Sequence, residues 1–465
     1  FASRKASQAA ARIFGGDETD HVTFGRMAAF GSSALVLTAA ASKLVNILTT
    51  AGEQTEVAHA EAPQIPEVTG SPASTVPWSV QSREGRRWLG SVLTVKEIED
   101  VTQEAAKQPI RAYASLQSGT TDEERAAVVM RELERTNAFE RSAIALFSPT
   151  GSGYVNYVAS ETFEYLTRGD CASFAIEYSV LPSSFSLQAV PLGTRQTRLV
   201  VDAVVERLLS MKPEDRPKFY MFGESLGSQV SEGMFTDEGA WGPRGIGLTA
   251  GVWIGTPSAT TWRKQLWGKR SIADPSAIGP GDTYLPRNID DWHKLPDSER
   301  AKVRFLLLQN GDDPIPKFGT KLIWRRPDWL GPDSTRPLGS PRGTTWIPFV
   351  TFVQTFIDML NALTPTPGIF AEGGHDYREE IPEAIRQIWR LEISEGQMKR
   401  VQQALRNREL HWEATRAWEA AKAITDEAKR EKAENKAKEQ IGQWLGNEPN
   451  EPITPEQIAR LRSAD

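Results

Sequence analysis

Ser225 lies in the run Gly223-Glu224-Ser225-Leu226-Gly227, a G-x-S-x-G spacing. Glycines on both sides suit a serine placed on a tight turn from strand to helix, where a neighbouring Cβ would have no room. Such a turn lifts the hydroxyl above the end of a sheet and aims a helix N-terminus at it. The flanking residues agree. Residues 218–222 form an apolar, aromatic run bounded by Pro217, and residues 228–235 lack proline and can continue a helix. By itself the pattern is also that of an ordinary glycine-rich turn, so it needs partners.

A serine hydroxyl is a poor nucleophile until a histidine takes its proton, and a carboxylate must orient that histidine. On sheets with such an elbow the chain order is serine, acid, histidine. The apolar run 303–309 ends in Asn310-Gly311-Asp312-Asp313-Pro314, which places an acid at the carboxyl edge of a buried strand. Asp313 is the expected acid because the following proline fixes the turn, with Asp312 as the alternative. The expected base is His375 in Gly373-Gly374-His375-Asp376-Tyr377, ahead of a helix-like stretch at 383–390. The chain has 5 histidines; His21 and His59 fall in the N-terminal part, His293 precedes the acid, and His411 lies in a charged C-terminal stretch.

An acyl-transfer oxyanion needs two backbone donors. One should be the amide of Leu226. The other should come from Ser148-Pro149-Thr150-Gly151-Ser152-Gly153-Tyr154, where glycines let the amides of Gly151 and Ser152 turn inward. This loop lacks the lysine of a phosphate-cradling loop.

The elements needed to position these residues can be read from apolar periodicity. Strands are expected at 110–116, 142–147, 172–178, 218–222, 248–254 and 303–309. Helices are expected at 122–135 (opened by Thr121), 155–167 and 195–211. Apolar strands alternating with helices imply a mostly parallel sheet covered on both faces. The fold class expected is therefore α/β, an α/β-hydrolase fold over 81–395. Cap insertions are expected near 258–295 and 318–366, which contain Trp262, Trp267, Trp292, Trp324, Trp329 and Trp346. Residues 60–80 read as a linker, and 396–465, dominated in its middle by Ala, Glu, Lys and Arg, as a charged helical tail.

Composition excludes several classes. A formal net charge of −6 argues against nucleic acid as a partner, and the single cysteine, Cys171, excludes a disulfide framework and a cysteine metal site. No metal-ligand spacing and no cofactor motif is present, and nothing in the sequence indicates an oligomeric state. Residues 27–42 carry no charge and sit between Arg26 and Lys43. Extended to residue 50, this stretch approaches the roughly 20 residues that span a bilayer. Residues 1–59 are accordingly read as the tail of a membrane-associated helical segment. Arg4, Lys5 and Arg12 precede it and Glu53, Glu56 and Glu61 follow, which would put the catalytic part outside the cytoplasm.

The sequence resembles the actinobacterial membrane-associated α/β-hydrolase family. The matching blocks are GRRWLG, PIRAYASL, RELERTNAFER, SPTGSGYVN, IEYSVLPS, RPKFYMFGESLGS, LLLQNGDDPIP, RPDWL, WIPFVTFVQTFIDM and GGHDYR, spread from about residue 85 to 389. The resemblance implies an N-terminal membrane domain joined to a hydrolase domain, and its acid position matches Asp313. Tyr154 departs from the tryptophan of the family pattern, and the Asn310-Gly311-Asp312 stretch also differs from it.

The resulting expectation is a serine hydrolase acting on an acyl ester, lipid-like because the run 346–353 is apolar on more than one face. The alternatives are an envelope acyltransferase using the same triad and a non-catalytic hydrolase-fold scaffold that binds lipid or a partner.

Overall fold

The computed structural model describes residues 55–181, 186–258, 260–267, 278–331, 343–362, 365–371 and 373–447. The expected membrane segment therefore lies outside the described residues, apart from 55–59. Among the described residues no helix is long and apolar enough to cross a membrane.

Among the described residues eight strands form one sheet in the order β1-β3-β2-β4-β5-β8-β7-β6. They are β1 (Ile110–Ala114), β2 (Ala143–Ser148), β3 (Cys171–Ile176), β4 (Lys218–Glu224), β5 (Ala250–Ile254), β6 (Ile278–Gly279), β7 (Thr283–Tyr284) and β8 (Phe305–Leu308). Every pairing is parallel except β6 with β7. Side chains alternate between two cores, as the pleat requires. On β2, Ala143, Ala145 and Phe147 join one core, while Ile144 and Leu146 join the other. The strand interiors are buried on both faces, so they read as near-continuous apolar runs.

The helices used below are α1 (Arg83–Gly90), α2 (Val95–Thr102), α3 (Asp122–Arg135), α4 (Tyr157–Leu166), α5 (Val190–Leu209), α6 (Leu226–Gly233), α7 (Val350–Asn361), α8 (Ile381–Trp389), α9 (Glu395–Lys422) and α10 (Glu427–Trp444). Helix α3 begins where the sequence places it, because Thr121 and Glu124 complete a capping box. One core carries an aromatic stack in which Tyr220 of β4 lies flat on Trp389 of α8, with ring centroids 4.6 Å apart. Helices α3 and α5 cover the opposite face.

Four expectations are corrected. Residues 60–80 are not a free linker: Val68 bridges Arg111 of β1, and Val68 and Thr69 are fully buried. The Thr69 hydroxyl also bonds the buried Glu132 carboxylate. The region 258–295 is only partly cap. Residues 278–284 add β6 and β7 to the sheet, and Trp262 and Trp292 are buried in the two cores. The C-terminal helix is not simply an exposed tail, because Met398, Val401 and Leu405 of α9 are core residues. Finally, Glu56, placed in the membrane-associated segment, instead pairs with Arg87 of α1 and Arg416 of α9. In each case a few apolar or paired side chains were diluted among polar neighbours, so composition hid a packed segment.

Candidate active site

Strand β4 delivers Ser225 to the carboxyl edge of the sheet, and α6 starts at the next residue. Ser225 has φ 51° and ψ −122°, a conformation few non-glycine residues adopt, and it is almost buried. The strain is held by packing on both sides. A Cβ on Gly223 would meet the Ser228 Cα at 2.9 Å, and one on Gly227 would lie 2.2 Å from the Ser148 carbonyl oxygen. Both motif glycines are therefore sterically required. The amide of Ser225 donates to the Ile254 carbonyl at the end of β5 (3.0 Å), which fixes the elbow beside Gly255.

His375 reaches the same place from the opposite side. A Cβ on Gly255, whose φ is +55°, would sit 2.6 Å from the His375 Cε1. The imidazole is thus pressed against the residue that follows the Ser225 amide acceptor. Its Nδ1 lies 2.8 Å from Asp313 Oδ2. Asp313 is fully buried and accepts two more hydrogen bonds, from Tyr377 Oη (2.7 Å) and the Ile315 amide (2.8 Å). Asp312 has a different job: its carboxylate is exposed and accepts from the Gly374 amide at 2.8 Å. Asp313 thus holds the imidazole, while Asp312 holds the backbone ahead of it. Among the described residues no hydrogen bond joins the Ser225 hydroxyl to the His375 ring. Contacts of this kind commonly tighten only when substrate is bound.

The electrostatics suit a base. Burial of the His375 ring disfavours its charged form, but Asp313, through its charge and hydrogen bond, together with Glu224 and Asp376, outweighs this and raises the pKa. Burial pushes the Glu224 carboxyl up in turn, and the Asn156 amide holds it with a 3.0 Å hydrogen bond.

The loop expected to supply the second oxyanion donor begins beside the elbow. The steric contact of Gly227 with Ser148 and Pro149 shows that the loop after β2 packs on the start of α6. Within that loop the Thr150 amide bonds the Tyr154 carbonyl and the Gly153 amide bonds the Thr150 carbonyl. Among the described residues the amides of Leu226, Gly151 and Ser152 have no acceptor. The loop is buttressed from β1, because Tyr113 Oη donates to the Gly153 carbonyl at 3.0 Å.

Sequence reasoning missed the supporting residues. Tyr377 bonds Asp313 and also accepts from the Asn310 amide at 3.0 Å. Its position two residues past His375 was the available signal. Arg378 donates to Asp376 (2.8 and 2.7 Å) and to Glu409 of α9 (2.6 Å). Glu409 in turn accepts from the Tyr157 hydroxyl at the start of α4 and from the Gly368 amide at 2.8 Å. Nothing local to residue 409 betrays this, since it sits in a charge-rich helix. Among the described residues no cluster could hold a metal ion.

Comparison with curated proteins and with solved structures returned no match. A family model does match: that of an alpha/beta-hydrolase family, over residues 110–401. This span runs from β1 into α9 and contains the elbow, both acids and His375. With well over half its length matched and a parallel sheet carrying the elbow where that fold requires it, the chain belongs to the alpha/beta-hydrolase family.

Proposed function

We propose that the protein is a serine hydrolase that cleaves an acyl ester through an acyl-enzyme on Ser225. The observation that carries this reading is the His375–Asp313 pair pressed against Gly255, next to the carbonyl that anchors the Ser225 amide. His375 Nε2 takes the proton from Ser225 Oγ as Oγ adds to the ester carbonyl carbon. The amides of Leu226 and of Gly151 or Ser152 receive the negative charge that develops on the carbonyl oxygen. Collapse of the tetrahedral species breaks the C–O bond, and the imidazolium protonates the departing alcohol. Water, deprotonated by His375, then releases the acid and restores Ser225. Asp313 keeps Nδ1 protonated and the ring in place.

A lipid-like acyl group is favoured by the apolar segment around α7. That segment is tethered to the site: the Ser258 hydroxyl donates to the Phe318 carbonyl at 2.8 Å, and the Phe318 ring packs on Phe352 and Phe356.

Labelling with a fluorophosphonate, followed by hydrolysis of acyl esters of graded chain length with and without an alcohol acceptor, tests the reading. An adduct on Ser225 that is lost in both Ser225→Ala and His375→Ala, together with ester turnover, supports it. Acyl transfer to the alcohol in preference to water would reassign the activity as transferase. No adduct in the folded protein would leave a scaffold.

A further inference from the structure

Helix α7 buries polar side chains and exposes apolar ones beside Gln354 and Asp358. Its buried positions include Thr351 and Thr355, 4% and 6% exposed, whereas Val350, Val353, Phe356 and Ile357 point outward. The threonines satisfy themselves locally, Thr351 Oγ1 accepting from the Ile347 amide at 2.9 Å and Thr355 donating to the Thr351 carbonyl at 2.8 Å. The preceding residue, Phe349, is 63% exposed and held at φ +64°, a left-handed conformation that costs energy for a bulky side chain. A water-facing helix puts its apolar residues inward. This one carries backbone strain at its start, and among the described residues Val350, Val353 and Ile357 stay exposed, with Phe356 half-covered by the Phe318 ring.

The same face carries a defined charge. The turn Thr320–Ile323 packs on the start of α7, and the Phe349 amide donates to the Ile323 carbonyl at 3.1 Å. Directly after it comes Trp324, 64% exposed, flanked by exposed Lys321, Arg325 and Arg326. Among the described residues Lys321 and Arg325 form no ion pair. The single acid on α7, Asp358, acts on Lys317. An exposed apolar helix face bordered by tryptophan and unpaired cations is complementary to a negatively charged lipid surface: acyl chains receive the apolar side chains, the indole settles at the headgroup level, and the cations meet phosphates.

We propose that the outer face of α7, together with residues 320–326, is a docking surface that seats this protein on an anionic lipid bilayer. The proposal does not depend on the reading of Ser225, and it is distinct from any contribution of residues 1–59. The test places an environment-sensitive dye on the full chain through Ile357→Cys, with Leu209→Cys as a control. Both positions are well exposed, at 49% and 64%. The native Cys171 is buried and its thiol is raised far above reactivity, so it stays unlabelled.

On phosphatidylglycerol-containing vesicles the dye at 357 should shift to the blue and be quenched by lipid-borne quenchers, while the dye at 209 stays unchanged. Lys321→Gln and Arg325→Gln should each raise the vesicle concentration needed by about fivefold. Added salt should act in the same direction. An unshifted dye at 357 on a protein that sediments with those vesicles would overturn the proposal. So would an equal shift on pure phosphatidylcholine, or a shift that follows protein concentration without vesicles, which would mark the face as a contact between copies of the chain.

Discussion

Glu409, in the C-terminal helix α9, accepts hydrogen bonds from Arg378, three residues past His375. Both side chains are 7% exposed. Arg378 also clamps Asp376 and the carbonyls of Thr366 and Ile369, so one guanidinium gathers the loop that carries His375. The helix at the end of the hydrolase core is thereby tied to the candidate active site.

Removing Glu409 should accordingly harm both folding and turnover. Glu409→Ala leaves Arg378 with Asp376 as its one carboxylate and takes the acceptor from the Tyr157 hydroxyl and the Gly368 amide, so it should destabilise by about 1–3 kcal/mol. A misplaced His375 should lower kcat for ester hydrolysis by about 10- to 100-fold with little change in KM. Thermal melting and initial rates measure the two effects. If the melting temperature falls while kcat and the fluorophosphonate labelling rate stay put, the brace is structural only.

Ser225→Ala should abolish labelling and reduce turnover by about 10⁴-fold or more. Its backbone strain should persist, since alanine tolerates φ 51° no better than serine. Ser225→Gly relieves that strain and should be more stable than Ser225→Ala by about 1 kcal/mol, despite the flexibility glycine adds to the unfolded chain. Urea titration of the two inactive variants compares them directly; a less stable glycine variant would show that the elbow is not strained.

The raised pKa of His375 sets the pH dependence. Its imidazolium is favoured in the folded protein, so it contributes stability below the free-imidazole value of about 6.5. That contribution is lost as pH rises through the higher folded value. On the proposed mechanism activity needs the neutral ring and should rise over that same interval, with a midpoint above about 6.5. Glu224→Gln removes a negative neighbour and should move the midpoint of the kcat/KM profile downward. An unmoved profile would remove Glu224 from the electrostatics of the base.

Gly255→Ala tests the contact between the elbow and the histidine loop. The new Cβ would fall on the His375 ring, and the backbone at φ +55° resists a side chain. The expected outcome is a folded protein with kcat down by about 10²-fold, because the ring must move by about an ångström. Unchanged rates would mean that the loop yields without cost.

Tyr377→Phe should weaken the acid. The Asp313 carboxylate would lose a 2.7 Å donor and the Asn310 amide its acceptor, at a cost of about 1–3 kcal/mol. With less competition for its charge, Asp313 should hold the imidazolium more firmly, so the acid limb of the pH profile should shift upward. A stable variant with an unshifted limb would remove Tyr377 from the support of the acid.

Much of the fold was legible in the sequence, because each signal was local. Buried strands read as apolar runs between turns, Thr121 announced α3 through its capping box, and the two motif glycines marked the elbow since nothing larger fits against Ser228 and Ser148. The chain order of Ser225, Asp313 and His375 could also be read, because fold topology dictates it. What local pattern could not supply was the choice among contacts made across long separations. Whether Asp313 or Asp312 meets the imidazole depends on which carboxylate turns into the core after β8, and the structure gives the ring to the buried one and the backbone to the exposed one. Trp262 and Trp292 looked like cap material and proved to be core, and Glu409 looked like a solvated charge and proved to brace the histidine loop. Burial is a property of the assembled layers. A side chain flanked by polar neighbours in sequence acquires an apolar or paired environment only when distant elements close over it.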